Sequence, residues 1–304
     1  MTAWRWFLLA WVLACPLSMP GGAAAQDIES IPERAFPPQQ MGETLLRMGQ
    51  FAPAQAIYRK LFATEAKDPQ VVRGLVKAHA GLGELPQVRA LLESYLEEHP
   101  DSSAVLYGLG LALYLQKEAA ASAKKLRLAL AKDPENSLAL ITLAVVLHDK
   151  NEDEEAVQLL HRAIAVSPGQ GMIYRNLWRV YKAMGKTGLF FKEFETARQA
   201  GQRARVLGYG RAYAVALRQE GFGLYQKGDP KGALQKMESM VQVYRDLDHL
   251  PGVVSGLFSL ALLQEESGNV DKALALYREI LQLSPEHIQA GEKVRELAEK
   301  TKNQ

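Results

Sequence analysis

Cysteine is almost missing from this chain: Cys15 is the only one in 304 residues. Without it no disulfide, thiolate metal site or covalently attached haem can form. The motifs that carry chemistry are missing too. There is no His-Glu-x-x-His, no Gly-x-Ser-x-Gly, no phosphate loop and no His/Cys ligand cluster, and the six histidines are dispersed. Asp149-x-Asn151-x-Asp153 imitates the start of a calcium loop, but Glu154 stands where such a loop needs glycine and Leu160 where it needs a carboxylate. These gaps argue against an enzyme, a bound metal and a cofactor. The formal net charge is only +2, with Lys and Arg interspersed among Asp and Glu. Nucleic acid and anionic lipid select concentrated basic fields, so neither is expected as a partner.

What is present begins with a distinct N-terminus. Arg5 is followed by the apolar stretch Trp6 to Ala14, and Pro20-Gly21-Gly22 leads into Ala23-Ala24-Ala25. A short positive region, a short apolar core and a small-residue cleavage site make residues 1–25 a secretory signal, with cleavage after Ala25 and export to the periplasm expected. The apolar run falls short of the roughly 20 residues of a membrane span. Val12-Leu13-Ala14-Cys15 resembles a bacterial lipoprotein box, which Leu13 and Pro16 fit poorly; lipidation at Cys15 would anchor the chain in the envelope, as would an uncleaved signal. Residues 26–39, with Pro32, Pro37 and Pro38, read as a linker.

Beyond the linker the chain keeps a metre. Pro100, Pro134 and Pro168 stand 34 residues apart, and Gly49, Gly83, Lys117, Asn151 and Gly185 mark a second position at the same spacing. In the fourth unit Leu140, Leu143, Ala144 and Leu147 are followed by Ala156, Leu160 and Ala163. Large apolar residues three or four apart form a buried stripe. A glycine between two helices takes a left-handed cap, and a proline after the second helix stops it. These residues resemble the tetratricopeptide repeat family. The resemblance implies an all-α fold, a right-handed α-solenoid of about seven helix–turn–helix repeats with a C-terminal capping helix. Five regular repeats span 40–202. Two longer-period repeats follow over 203–285, and residues 286–304 form the capping helix and tail. Trp178 and Phe190 occupy positions that are normally small, which should open the fifth unit. Val206 to Gly210 reads as a hinge or a junction, or simply as an irregular helix joint. Pro38 suggests that the first helix begins late.

The family turns one face of each first helix toward a concave groove. Mapped by phase, that face carries Arg73 and Lys77 in the second unit, then Tyr107, Leu111 and Tyr114, then Ile141, Val145 and His148. The fifth unit contributes Arg175, Asn176 and Arg179, and the sixth Arg218, Phe222 and Tyr225. An apolar centre with basic and aromatic flanks suits an amphipathic helix or an extended peptide with acidic residues. Gln39 and Glu43 stand where the family's chaperone-binding version places Lys and Asn, so that carboxylate clamp is not expected. The function that the resemblance implies is a non-catalytic protein-interaction scaffold of the bacterial envelope, assisting assembly or stability of a secretion or biogenesis complex. Two alternatives remain. One is a self-assembling structural protein whose end repeats stack into an oligomer. The other is a carbohydrate-related accessory protein or enzyme with a pocket near Tyr209 and Tyr213.

Overall fold

A computed structural model describes residues 37–302, in which every regular element is an α-helix. The expected signal at 1–25, Cys15 and most of the linker lie outside the described residues. The chain divides into two compact units, the first ending at Val166 and the second beginning at Ser167.

The first unit holds four helical pairs: α1 (Pro38–Arg47) with α2 (Phe51–Glu65), α3 (Pro69–Gly81) with α4 (Leu85–Glu98), α5 (Ser103–Leu115) with α6 (Ala119–Lys132), and α7 (Ser137–Asp149) with α8 (Asp153–Val166). The second holds α9 (Gly171–Ala183), α10 (Thr187–Gln199), α11 (Arg203–Gln226), α12 (Pro230–Asp246), α13 (Leu250–Glu266), α14 (Val270–Leu283) and α15 (Ile288–Lys302). The fold class is therefore the all-α helix–turn–helix solenoid that the metre predicts.

The turns have a common physical origin. Gly49, Gly83 and Gly185 adopt positive φ, and so do Lys117 (69°) and Asn151 (63°), the two residues that replace glycine at that phase. The left-handed cap is thus built even where a side chain makes it costly. Starts are marked by side chains that satisfy free amide groups. Asp68 accepts from the Gln70 amide at 2.7 Å, Asn136 from the Ala139 amide at 3.0 Å, and Asp229 from the Gly232 amide at 2.9 Å. Pro38 opens α1 as expected, three residues later in phase than the starts of α3, α5 and α7; proline is tolerated there because the first helical residue needs no N–H.

Small residues in first helices receive large ones from second helices. The Tyr58 ring of α2 is 1% exposed and lies against Gly42 of α1 and Gly74 of α3, where a Cβ would come within 2.8 Å and 2.1 Å of it. Between first helices the same nesting occurs, Val72 of α3 filling the space above Gly108 of α5.

Two irregular stretches look different in three dimensions from their sequence. Val206 to Gly210 lie inside the continuous 24-residue helix α11 and not at a joint between helices. Gly208 and Gly210 are there for close packing, against Tyr174 and Leu247 respectively. Around Trp178 and Phe190, α9 and α10 approach each other no more closely than α3 and α4 do. An aromatic cluster fills the gap, with Trp178 at 5.1 Å from Phe190, 5.7 Å from Phe191 and 5.5 Å from Tyr213 between ring centroids.

Candidate protein-interaction surface

In the first unit the first helices α3, α5 and α7 pack side by side, and this decides which groove residues reach solvent. Tyr107 and Ile141, both expected on the exposed face, are buried at 1% and 2% exposure. Tyr107 sits within the influence of Arg73 and hydrogen-bonds with Thr142, and its burial pushes its phenol pKa well above 10.0. Both side chains are core between neighbouring helices and are corrected as contact residues. Leu111, Tyr114, Val145 and His148 remain half-buried.

Several of these are already engaged. Tyr114 donates to Asp149 Oδ2 at 2.7 Å, and His148 Nδ1 lies 2.6 Å from Asp153 Oδ1. Two of the carboxylates in the calcium-like turn are thereby taken up by neighbours. Arg73 is paired with Glu43 at 3.3 Å. Lys77 has no such pair among the described residues; desolvation and the adjacent Arg73 guanidinium hold its ammonium below the usual lysine range.

In the second unit α9 and α11 run parallel and in register. Tyr174 meets Tyr209 at 4.7 Å, Trp178 meets Tyr213 at 5.5 Å, and Lys182 Nζ reaches Glu220 Oε1 at 2.8 Å. Arg175 and Arg179 are exposed on α9, whereas Asn176 turns its amide back onto Met172 O at 3.1 Å. Arg218, Phe222 and Tyr225 are half-buried on α11, and Tyr225 donates to Glu266 Oε2. The suggested carbohydrate pocket does not form around Tyr209. Its ring is 4% exposed and its hydroxyl donates to Glu193 Oε2 at 2.8 Å, while Tyr181 donates to Glu193 Oε1 at 2.5 Å.

A feature that average composition hides lies in the same stretch. Residues 167–227 hold eleven of the 36 Lys and Arg but only three of the 34 Asp and Glu. The basic residues are not evenly scattered, and the opposite expectation is corrected. A sliding charge count would have found the segment; the whole-chain balance of +2 cancels it against acidic flanks.

No helix among the described residues is long and apolar enough to cross a membrane. Residues 45–112 match one tetratricopeptide-repeat family description and residues 219–288 match another. Among solved structures, the chain is similar to one from the APC/C hetero-tetramer Cut9–Hcn1, at 15% identity and a TM-score of 0.50 over 89% of this chain. It spans 57% of that protein's length. MamA AMB-1 aligns at 22% identity over 54% of this chain and 90% of its own, with a TM-score of 0.35. At these identities the likeness to Cut9–Hcn1 is one of fold. With the repeated left-handed turns, the nested small residues and the two matched stretches, residues 45–112 and 219–288 are tetratricopeptide repeats, a fold that serves as a protein–protein interaction module.

Proposed function

We propose that this protein is a non-catalytic interaction scaffold of the bacterial envelope. It would be exported by its N-terminal signal and bind a partner helix or peptide on the outer faces of its first helices. One observation carries the reading. Arg175 and Arg179 stay exposed on α9, beside a helix core closed by Tyr174, Leu177 and Tyr181. Arginine is among the common energetic anchors of interfaces. The periplasm is the proposed location, with lipid anchoring at Cys15 as the alternative. The partner would belong to a secretion or biogenesis assembly.

Crosslinking in the native envelope, followed by mass spectrometry, tests the scaffold reading. A reproducible partner lost on Arg175→Glu with Arg179→Glu, at unchanged helical circular dichroism, supports it. Recovery of the same partners from the double variant removes this face from the reading. Fractionation and N-terminal sequencing separate cleavage after Ala25 from modification at Cys15. A second reading, end-to-end self-assembly, has its own motive: Ile288 is 75% exposed and Leu283 38% exposed at the last repeat. Mass by light scattering should then rise with concentration and fall on Ile288→Glu.

A further inference from the structure

Arg211, Arg218 and Tyr225 follow one another at seven-residue intervals on α11. Two helical turns separate each from the next, so the three keep to one side of the helix, within roughly 40°. That side is not the one that meets α9, which carries Tyr209, Tyr213 and Glu220. It faces α13, because Tyr225 donates to Glu266 Oε2 of that helix. The tyrosine finds its carboxylate there, and the two arginines do not. From Leu250 to Gln264 α13 carries no charged residue, and among the described residues neither arginine is in an ion pair or hydrogen bond.

What they meet instead is the turn between α12 and α13. Gly210, the residue before Arg211, is packed against Leu247, whose Cδ1 would lie 2.6 Å from an added Cβ. Tyr244 and His249 flank Leu247 in sequence and stack on each other, with ring centroids 5.5 Å apart and planes inclined by 30°. Gly252 lets both rings close on α13: a Cβ there would come within 2.3 Å of Tyr244 Cδ1 and 2.6 Å of His249 Nδ1. Arg218 and Arg211 act on the Tyr244 phenol, Arg211 acts on the His249 imidazole, and no carboxylate acts on either. The acids of the turn, Asp246 and Asp248, are exposed, and Asp246 accepts from Gln242 Nε2 at 2.7 Å. Arg245 is occupied by Glu279 at 2.6 Å.

The polar groups left over at this corner are all donors. His249 Nδ1 accepts from the Gly252 amide at 2.9 Å, so the neutral ring carries its proton on Nε2. Burial, helped by Arg211, holds that imidazole below 6.5, and it is neutral at pH 7. The half-buried Tyr244 makes no hydrogen bond through its hydroxyl among the described residues. We infer that this corner, built from Arg211, Arg218, Tyr244 and His249, binds a phosphate monoester. Such a group carries a charge of about −1.5 to −2 at pH 7 and three strong acceptor oxygens, which matches two arginines and two neutral donors. A carboxylate brings one charge and leaves one arginine unmatched. The planar fork of arginine also bonds two phosphate oxygens at once. The site is separate from Arg175 and Arg179 of α9, and it stands or falls without the scaffold reading.

The test titrates the full chain by calorimetry with inorganic phosphate, glycerol 3-phosphate and acetate at constant ionic strength. A second arm floats the chain with phosphatidylcholine vesicles that contain or lack phosphatidic acid. A phosphate is expected to bind about tenfold or more tightly than acetate. Arg211→Gln with Arg218→Gln should abolish that binding at unchanged helical circular dichroism. Tyr244→Phe keeps the packed ring and should weaken it about two- to tenfold, the worth of one neutral hydrogen bond. Lys124→Gln with Lys125→Gln, on α6 of the other unit, removes the same charge and should change nothing. Binding of a soluble phosphate assigns a free ligand. Flotation with phosphatidic acid alone, lost in the double arginine variant, assigns a lipid headgroup. Acetate binding as tight as phosphate overturns the inference, as does phosphate binding that survives the double arginine variant, or a chain that binds neither soluble phosphate nor vesicles.

Discussion

Gly74→Ala is the substitution that tests the packing logic most directly. Its added Cβ would lie 2.1 Å from Cε1 and Cζ of Tyr58. Ordinary contact needs about 3.4 Å or more, so the ring must retreat by roughly 1.3 Å. It has no room, because the opposite edge of the ring already occupies the place of a side chain at Gly42, with Cε2 2.8 Å from that missing Cβ. Two terms compete. Alanine in place of glycine favours a helix by about 1 kcal/mol, whereas overpacking a closed core costs about 1–3 kcal/mol. If the ring is expelled altogether, the loss rises to the roughly 3–5 kcal/mol of deleting a buried aromatic. The expected net effect is a destabilisation of about 1–2 kcal/mol, read as a lower urea midpoint and faster amide exchange over α1–α3. Tyr58→Leu should recover much of it in the double variant, giving a coupling energy above about 1 kcal/mol. Gly223→Ala is the control: its Cβ meets nothing within 4 Å, so it should stabilise by about 0.5–1 kcal/mol. A neutral or stabilising Gly74→Ala would refute the nested-ring account of how these repeats close.

Three further perturbations probe other parts of the fold. His79 is 5% exposed, with Nδ1 3.2 Å from Glu84 Oε2 and 3.0 Å from Gln55 Nε2. Burial holds its imidazole below 6.5, helped by Arg59 and opposed by Glu84. The unfolded chain then binds the proton more readily, so stability is intact above 6.5 and falls as pH drops through 6.5 toward the lower folded value. His79→Leu should flatten that loss in urea titrations run across this window; an unchanged slope would exonerate the histidine. Lys117→Gly should raise stability by about 0.5–1 kcal/mol by relieving a positive φ, measured as a higher urea midpoint, and a fall would show that the turn is not strained. Glu193→Gln removes one of the two acceptors used by Tyr181 and Tyr209. It should cost the second unit about 1–3 kcal/mol, with the loss visible in near-ultraviolet circular dichroism as the aromatic cluster loosens.

How much of this was legible in one dimension follows from what a repeat encodes. The 34-residue metre located the left-handed turns down to Lys117 and Asn151, because a turn conformation belongs to a phase and persists when glycine is replaced. It failed where the repeat lengthens. Gly208 and Gly210 look like breakers in sequence, yet α11 runs through them, since glycine also serves where a ring or an isobutyl group must come close. Local composition cannot separate these two uses.

The groove exposes a deeper limit, and it bears on how such surfaces should be sought. Phase assigns Tyr107 and Arg175 to equivalent faces of their helices, but one is 1% exposed and the other is open to solvent. Tyr107 is enclosed by α3 and α7, whose Arg73 and Thr142 act on its phenol. Partners are equally distant in sequence: Glu43 serves Arg73 from 30 residues away, Asp149 serves Tyr114 from 35 and Glu266 serves Tyr225 from 41. A groove tyrosine or arginine is therefore informative only once its carboxylate has been looked for in three dimensions. Those that have one brace the repeats against each other, and an exposed rim pair adds little to affinity. Among the described residues Arg175, Arg179, Arg211 and Arg218 have none, in a stretch where three acidic residues stand against eleven basic ones, and that separates them from the bracing pairs.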